Sequence, residues 1–66
     1  MLTNLGFECV IRGLRIGKPM ARASWPVDTY VYMKDGIIYF HDGDLLEYEY
    51  SFSSEEILAQ DWQIRL

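Results

Sequence analysis

Two tryptophans in this sequence stand beside groups that could grip a small molecule. Arg22 lies three residues before Trp25, and Asp61 immediately precedes Trp62. An indole face can stack a nucleobase, worth roughly 1–3 kcal/mol per base. A guanidinium can hold a phosphate through two parallel hydrogen bonds. A carboxylate can accept from ribose hydroxyls or an exocyclic amine. Those are the parts of a nucleotide pocket. The competing reading is structural: tryptophans in small domains usually serve the core, and an Arg near an Asp is often a surface ion pair.

Other chemistry fits the sequence poorly. There is one His and one Cys, so a nucleophilic pair would have to be Cys9 with His41. Cys9 sits one residue from an apolar helical stripe, which favours packing. A zinc site needs three or four His, Cys or carboxylate ligands, and these are missing at ligand spacing. Asp42-Gly43-Asp44 reads as a tight turn rather than a cation loop, because Asp and Gly are what such turns demand. Glu47 and Glu49 share a strand face, which reads as solvated charge that keeps an edge from aggregating. No glycine-rich phosphate loop is present. The expectation is a binding protein with no catalytic residues, metal or cofactor, and not an enzyme.

Composition narrows the class further. Sixty-six residues make one domain, 1–66. A chain this short is marginal in stability without staples or partners, and the lone Cys9 cannot form an internal disulfide. Half the residues are hydrophobic, a large apolar content for so small a core. Some of it is expected to be buried against other copies in a homo-oligomer. The net charge of −4 argues against direct nucleic-acid binding, which needs clustered Lys and Arg. No apolar run approaches the length of a membrane span, and Met1 to Leu5 lacks the pattern of a signal peptide. A cytoplasmic protein is expected.

The elements that must position these residues can be read in order. Thr3 or Asn4 can cap a first helix, whose buried face is Phe7, Val10, Ile11 and Leu14. Gly6 and Gly13 lie inside it, and each weakens a helix by about 1 kcal/mol unless something packs closely there. Gly17 and Pro19 end it. Met20 to Trp25 reads as a short strand closed by Pro26. Thr29 to Lys34 is a stronger strand. Asp35-Gly36 signals a type I′ hairpin turn, and Ile37 to His41 returns. Leu45 to Phe52 is a further strand, with Leu46, Tyr48, Tyr50 and Phe52 on one face. Ser53 and Glu56 have capping-box spacing, and Ile57 and Leu58 give the short helix that follows an apolar face. Trp62 to Leu66 closes as a strand, with Trp62, Ile64 and Leu66 alternating against Gln63 and Arg65. The fold class is α+β: a small antiparallel sheet of four to five strands, an N-terminal helix, and a short helix before the last strand.

The two tryptophan-bearing stretches also carry a resemblance. Gly17-Lys18-Pro19-Met20-Ala21-Arg22-Ala23-Ser24-Trp25 follows a helix and is answered by Ser53-Ser54-Glu55-Glu56-Ile57-Leu58-Ala59-Gln60-Asp61-Trp62. Together they resemble the phage type-two Thoeris anti-defence family, over about Phe7 to Ile64. The resemblance implies a homo-oligomer, a dimer or tetramer, that acts as a sponge. It would bind a cyclic ADP-ribose signal made by a host TIR protein, with cyclic oligonucleotides as further ligands, and hold it uncleaved. Carried over, Trp25 and Trp62 would stack on the ligand between protomers, Arg22 and Asp61 would flank it, and Lys18 would reach a phosphate. The segment between Trp25 and the second motif is shorter than in many relatives. The alternative is an acidic inhibitor of a host nuclease or CRISPR effector, in which Asp42, Asp44, Glu47 and Glu49 imitate nucleic acid.

Overall fold

The first helix ends as its glycine predicts. A computed structural model describes residues 4–43 and 47–65, and α1 covers Phe7–Arg15. Gly17 takes φ +84°. Its N–H bonds the Leu14 carbonyl at 3.1 Å, and the Lys18 N–H bonds the Gly13 carbonyl at 2.8 Å. That pair of bonds is the Schellman motif. Five strands and a second helix follow: β1 (Met20–Arg22), β2 (Tyr30–Lys34), β3 (Ile37–His41), β4 (Glu47–Glu49), α2 (Ser54–Leu58) and β5 (Trp62–Ile64). The strands form one antiparallel sheet in the order β4-β3-β2-β1-β5. This is the expected α+β class.

The apolar stripe of α1 supplies one wall of the core. Val10 and Leu14 are buried, together with Met20, Val31 and Trp62; Phe7 and Ile11 are half-buried. Gly13 explains its own presence. A Cβ there would lie 2.6 Å from the sulfur of buried Met20, so a side chain at this position would force Met20 to shift for the helix to stay this close to β1. Gly13→Ala would gain about 1 kcal/mol of helix propensity but overpack the core by roughly 1–3 kcal/mol. The expected net result is a loss of about 1 kcal/mol, read from the urea midpoint; a rise in the midpoint would mean that Met20 yields freely.

Three sequence expectations are corrected. The helix is capped by Gly6 with no side-chain cap, not by Asn4; Thr3 lies outside the described residues. Asn4 instead takes φ +57° and leads into Leu5, which is bonded in both directions to Trp62 at 2.8 and 3.1 Å. The strand expected over Met20 to Trp25 stops at Arg22, because the Trp25 N–H turns back to the Arg22 carbonyl at 3.0 Å. Ile57 and Leu58 form no buried face: both are exposed, Leu58 at 76%. What holds α2 is its capping box, with Glu56 N–H to Ser53 Oγ at 3.2 Å and Ser53 N–H to Glu56 Oε1 at 2.9 Å.

The β2–β3 hairpin turns at Asp35 (φ +54°) and Gly36 (φ +80°), the positive-φ pair of a type I′ turn. The strand expected over Leu45 to Phe52 is ladder-paired over Glu47–Glu49; Asp44, Leu45 and Leu46 lie outside the described residues, as does Leu66. Side-chain alternation then divides the sheet. Val31, Met33, Ile38 and Phe40 pack toward the core beneath α1. Tyr30, Tyr32, Tyr39 and His41 occupy the other face, where Tyr30 stacks on His41 at 4.8 Å and Tyr32 on Tyr39 at 5.8 Å. No described helix is long and apolar enough to cross a membrane.

Candidate functional site

The antiparallel pairing of β1 with β5 sets Arg22 opposite Trp62. Just beyond the pair, the Ala23 N–H bonds the Asp61 carbonyl at 2.9 Å. Arg22 and Asp61, 39 residues apart, thereby meet in a two-pronged ion pair. The Nε prong goes to Oδ1, and the Nη2 prong goes to Oδ2 at 3.3 Å. The Asp61 hydrogen bond is the largest cause holding the Arg22 guanidinium more firmly charged, and the fields of Asp61, Glu55 and Glu56 act in the same direction. The guanidinium carbon sits 5.9 Å from the centre of the Trp62 ring.

The two indoles meet edge to face at 5.5 Å and 77°. Their surroundings differ. Trp62 is fully buried, ringed by Phe7 at 6.1 Å, Phe52 at 5.8 Å and Trp25, and its Nε1–H donates to the Glu56 carbonyl at 2.9 Å. It has no face open to a ligand in the chain alone; its work there is in the core. Trp25 is half-buried. Its ring meets Phe40 at 5.5 Å and Tyr50 at 6.4 Å, both edge to face. Of the five residues singled out in the sequence, Arg22, Trp25, Asp61 and Trp62 converge. Lys18 does not: it is exposed and precedes the start of β1, four residues and up to roughly 13 Å from Arg22 at strand rise.

Three residues of the site escape a reading of spacing. Arg65 reaches across from the end of β5, and its Nη2 donates to the carbonyls of Arg22 at 3.2 Å and Trp25 at 2.8 Å. Glu56 accepts the Tyr50 hydroxyl through the carboxylate oxygen that the cap leaves free. Tyr50 in turn stacks on Phe40 at 5.1 Å and so backs Trp25. Only Glu56 had a signal, its capping-box position.

The sheet's other face holds a separate polar cluster. The Tyr32 hydroxyl donates to Glu47, and His41 Nδ1 lies 3.5 Å from the same carboxylate. Cys9 and His41 therefore fall on opposite sides of the sheet, and the nucleophilic pair considered above is not assembled. Among the described residues no group of His, Cys, Asp or Glu is arranged to hold a metal.

Two tyrosines are protected from ionisation. The bond to Glu47 is the main cause pushing Tyr32 up to about 12. Burial, followed by the Glu56 bond, pushes Tyr50 up as well. An unfolded chain would ionise both near 10. A raised folded-state value stabilises fully below that pH, and the contribution is lost as pH rises through the folded value. Stability should therefore fall above about pH 10. In an absorbance titration, Tyr32→Phe should remove a late step near 12. Equal late steps in wild type and variant would remove the Tyr32–Glu47 bond from the account.

No protein-family model matches the chain, and no curated protein matches it.

Proposed function

We propose that this protein binds and sequesters a cyclic nucleotide immune signal. The ligand is a cyclic ADP-ribose isomer made by a host TIR protein, with cyclic oligonucleotides as a second class, and it is held without cleavage. A phage would use such a protein in the host cytoplasm to keep a defence effector switched off. The observation that carries this reading is the convergence of Arg22, Trp25, Asp61 and Trp62. The resemblance names those residues, and the β1–β5 pairing gathers them from two stretches of sequence.

The groups drawn together are binding groups: a half-buried indole, a guanidinium and a carboxylate. Apolar side chains left in solvent support an assembly of copies with pockets between them. They include Val27 at 82% exposure, Ile16 at 72% and Ile57 at 44%. Apolar area of this kind gains by burial against a symmetric partner.

One observation favours the acidic-inhibitor reading. Glu47 and Glu49 are exposed on the edge strand β4. The two readings separate by mutation. If the protein is a sponge, Glu47→Lys with Glu49→Lys leaves ligand affinity within about threefold, because rim charges add little to affinity. If it is a charge mimic, the same pair abolishes activity against the host effector.

The direct test is calorimetric titration of the purified protein with cyclic ADP-ribose isomers and a panel of cyclic di- and trinucleotides. Bound ligand is then released by heat and its integrity checked. Submicromolar binding with intact recovery is the expected result. Cleaved ligand would make the protein an enzyme, and no binding across the panel by a folded protein would remove the sponge reading.

A further inference from the structure

The sheet ends differently at its two edges. At β5, Leu5 bonds Trp62 in both directions, so the chain itself takes part of that edge. At the other end, no described strand lies beyond β4. The Tyr50 N–H bonds the Ile38 carbonyl at 2.9 Å, which fixes the phase of the β3–β4 ladder. Hydrogen-bonded pairs alternate along an antiparallel ladder, so Phe40 with Tyr48 is the next such pair. Glu47 and Glu49 therefore turn their N–H and C=O groups away from β3, toward the open edge. Among the described residues neither makes a backbone bond beyond β4.

Side chains on this edge sort by face. Glu47 and Glu49 stand opposite His41 and Tyr39 on the outer face, and both are exposed. Glu47 is positioned by the Tyr32 hydroxyl, and His41 Nδ1 lies 3.5 Å from it. Between the two acids, Tyr48 lies on the core face. It stacks on Phe40 at 5.3 Å and 24°, yet it remains 50% exposed. The aromatic layer of the core thus runs out to the last strand and is left half covered there. A charge guard against aggregation needs only the carboxylates; it does not need an exposed aromatic between them.

A second copy is a poor occupant of this edge. Two β4 strands paired antiparallel about Tyr48 would set Glu47 opposite Glu49 twice, and like charges directly opposite are destabilising. Lys or Arg at those two places would pair with both carboxylates, and an apolar residue between them would cover Tyr48. We propose that β4 is a docking edge for an extended basic segment of a partner protein, added to the sheet in the order basic, apolar, basic. Backbone bonds to Glu47 and Glu49 supply affinity, and the carboxylates and Tyr48 select the sequence. This differs from imitation of nucleic acid, in which the carboxylates act alone. The edge lies at the opposite end of the sheet from the β1–β5 site, so the inference holds whether or not a nucleotide sits beside Trp25.

The test is an NMR and calorimetric titration of the full chain with a short capped peptide in which Arg and Val alternate. Two control peptides are run beside it. One is N-methylated at the amides that would face β4, and the other carries Glu in place of Arg. The alternating peptide should slow hydrogen exchange at the Glu47 and Glu49 amides and shift the Tyr48 ring resonances. N-methylation should weaken binding by about fivefold to a hundredfold. Glu47→Gln with Glu49→Gln should weaken it by about twofold to thirtyfold, and the Glu peptide should not bind.

Equal binding of the N-methylated peptide would overturn the proposal and leave recognition by charge alone, as the acidic-inhibitor reading has it. Exchange at Glu47 and Glu49 that slowed with protein concentration, without peptide, would overturn it in favour of a second copy. Binding with no effect on those two amides would place the peptide elsewhere and overturn it too. Should the double variant fail to fold, wild-type exchange and the N-methylated peptide decide the matter. Cyclic ADP-ribose is titrated into the same samples. Its failure to bind, with the peptide still bound at β4, would sink the sponge reading and leave the docking edge standing.

Discussion

Trp62→Ala should cost the chain at least about a third of its stability. Trp62 is the largest fully buried side chain. It touches the rings of Phe7, Trp25 and Phe52, and its indole N–H holds the last turn of α2 through the Glu56 carbonyl. Its backbone is bridged to Leu5, ahead of α1. Removing a buried Trp costs about 3–5 kcal/mol. At roughly 0.05–0.15 kcal/mol per residue, a chain of 66 residues commands only about 3–10 kcal/mol in all. The truncation therefore takes a third to all of the total. Trp62→Phe keeps a ring in the cluster but forfeits the bond to Glu56, so it should fold with a clearly lower urea midpoint. Far-UV circular dichroism and urea titration of both variants decide the point. A loss below about 1 kcal/mol in Trp62→Ala, a typical surface-mutation effect, would remove Trp62 from the core and reopen it as a ligand platform.

That contrast shows what the sequence makes legible. Features governed by a few consecutive residues are readable in advance. Asp35-Gly36 forms its turn because only such residues tolerate two positive φ angles. Ser53 and Glu56 cap α2 because their spacing matches one helical turn. The α1 stripe needs only the helical period. Features decided by distant partners are not readable. Asn4 does not cap α1, because Leu5 is drawn into the bridge with Trp62. The apolar pair Ile57 and Leu58 stays in solvent, because a five-residue helix held by its cap need not bury a face.

The site divides in the same way. Arg22, Trp25, Asp61 and Trp62 stand out by residue type and by the resemblance, but spacing cannot say which indole is covered. Arg65 is invisible to such reading, since its partners are backbone carbonyls some 40 residues away, and every residue has a carbonyl.

Trp25→Ala should lower ligand affinity by about tenfold to a hundredfold while the chain stays folded. The two indoles differ in how far the fold covers them. Trp62 lies inside the core and can reach a ligand only if the core opens. Trp25 is half-buried: Phe40, Tyr50 and Trp62 meet it edge to face, and the rest of its surface stays in solvent. Loss of one base-stacking contact is worth roughly 1–3 kcal/mol, which gives that range at about 1.4 kcal/mol per tenfold. Some stability is lost too, because the Phe40 and Tyr50 contacts go with the ring. Trp25→Phe separates the two effects: phenylalanine keeps an aromatic face and most of the packing, so it should bind within about tenfold of wild type. Calorimetry with cyclic ADP-ribose, run beside a urea titration of each variant, reads both quantities. A folded Trp25→Ala that binds as tightly as wild type would place the ligand elsewhere on the molecule. The ion pair and the two indoles would then be a structural cluster joining β1 to β5.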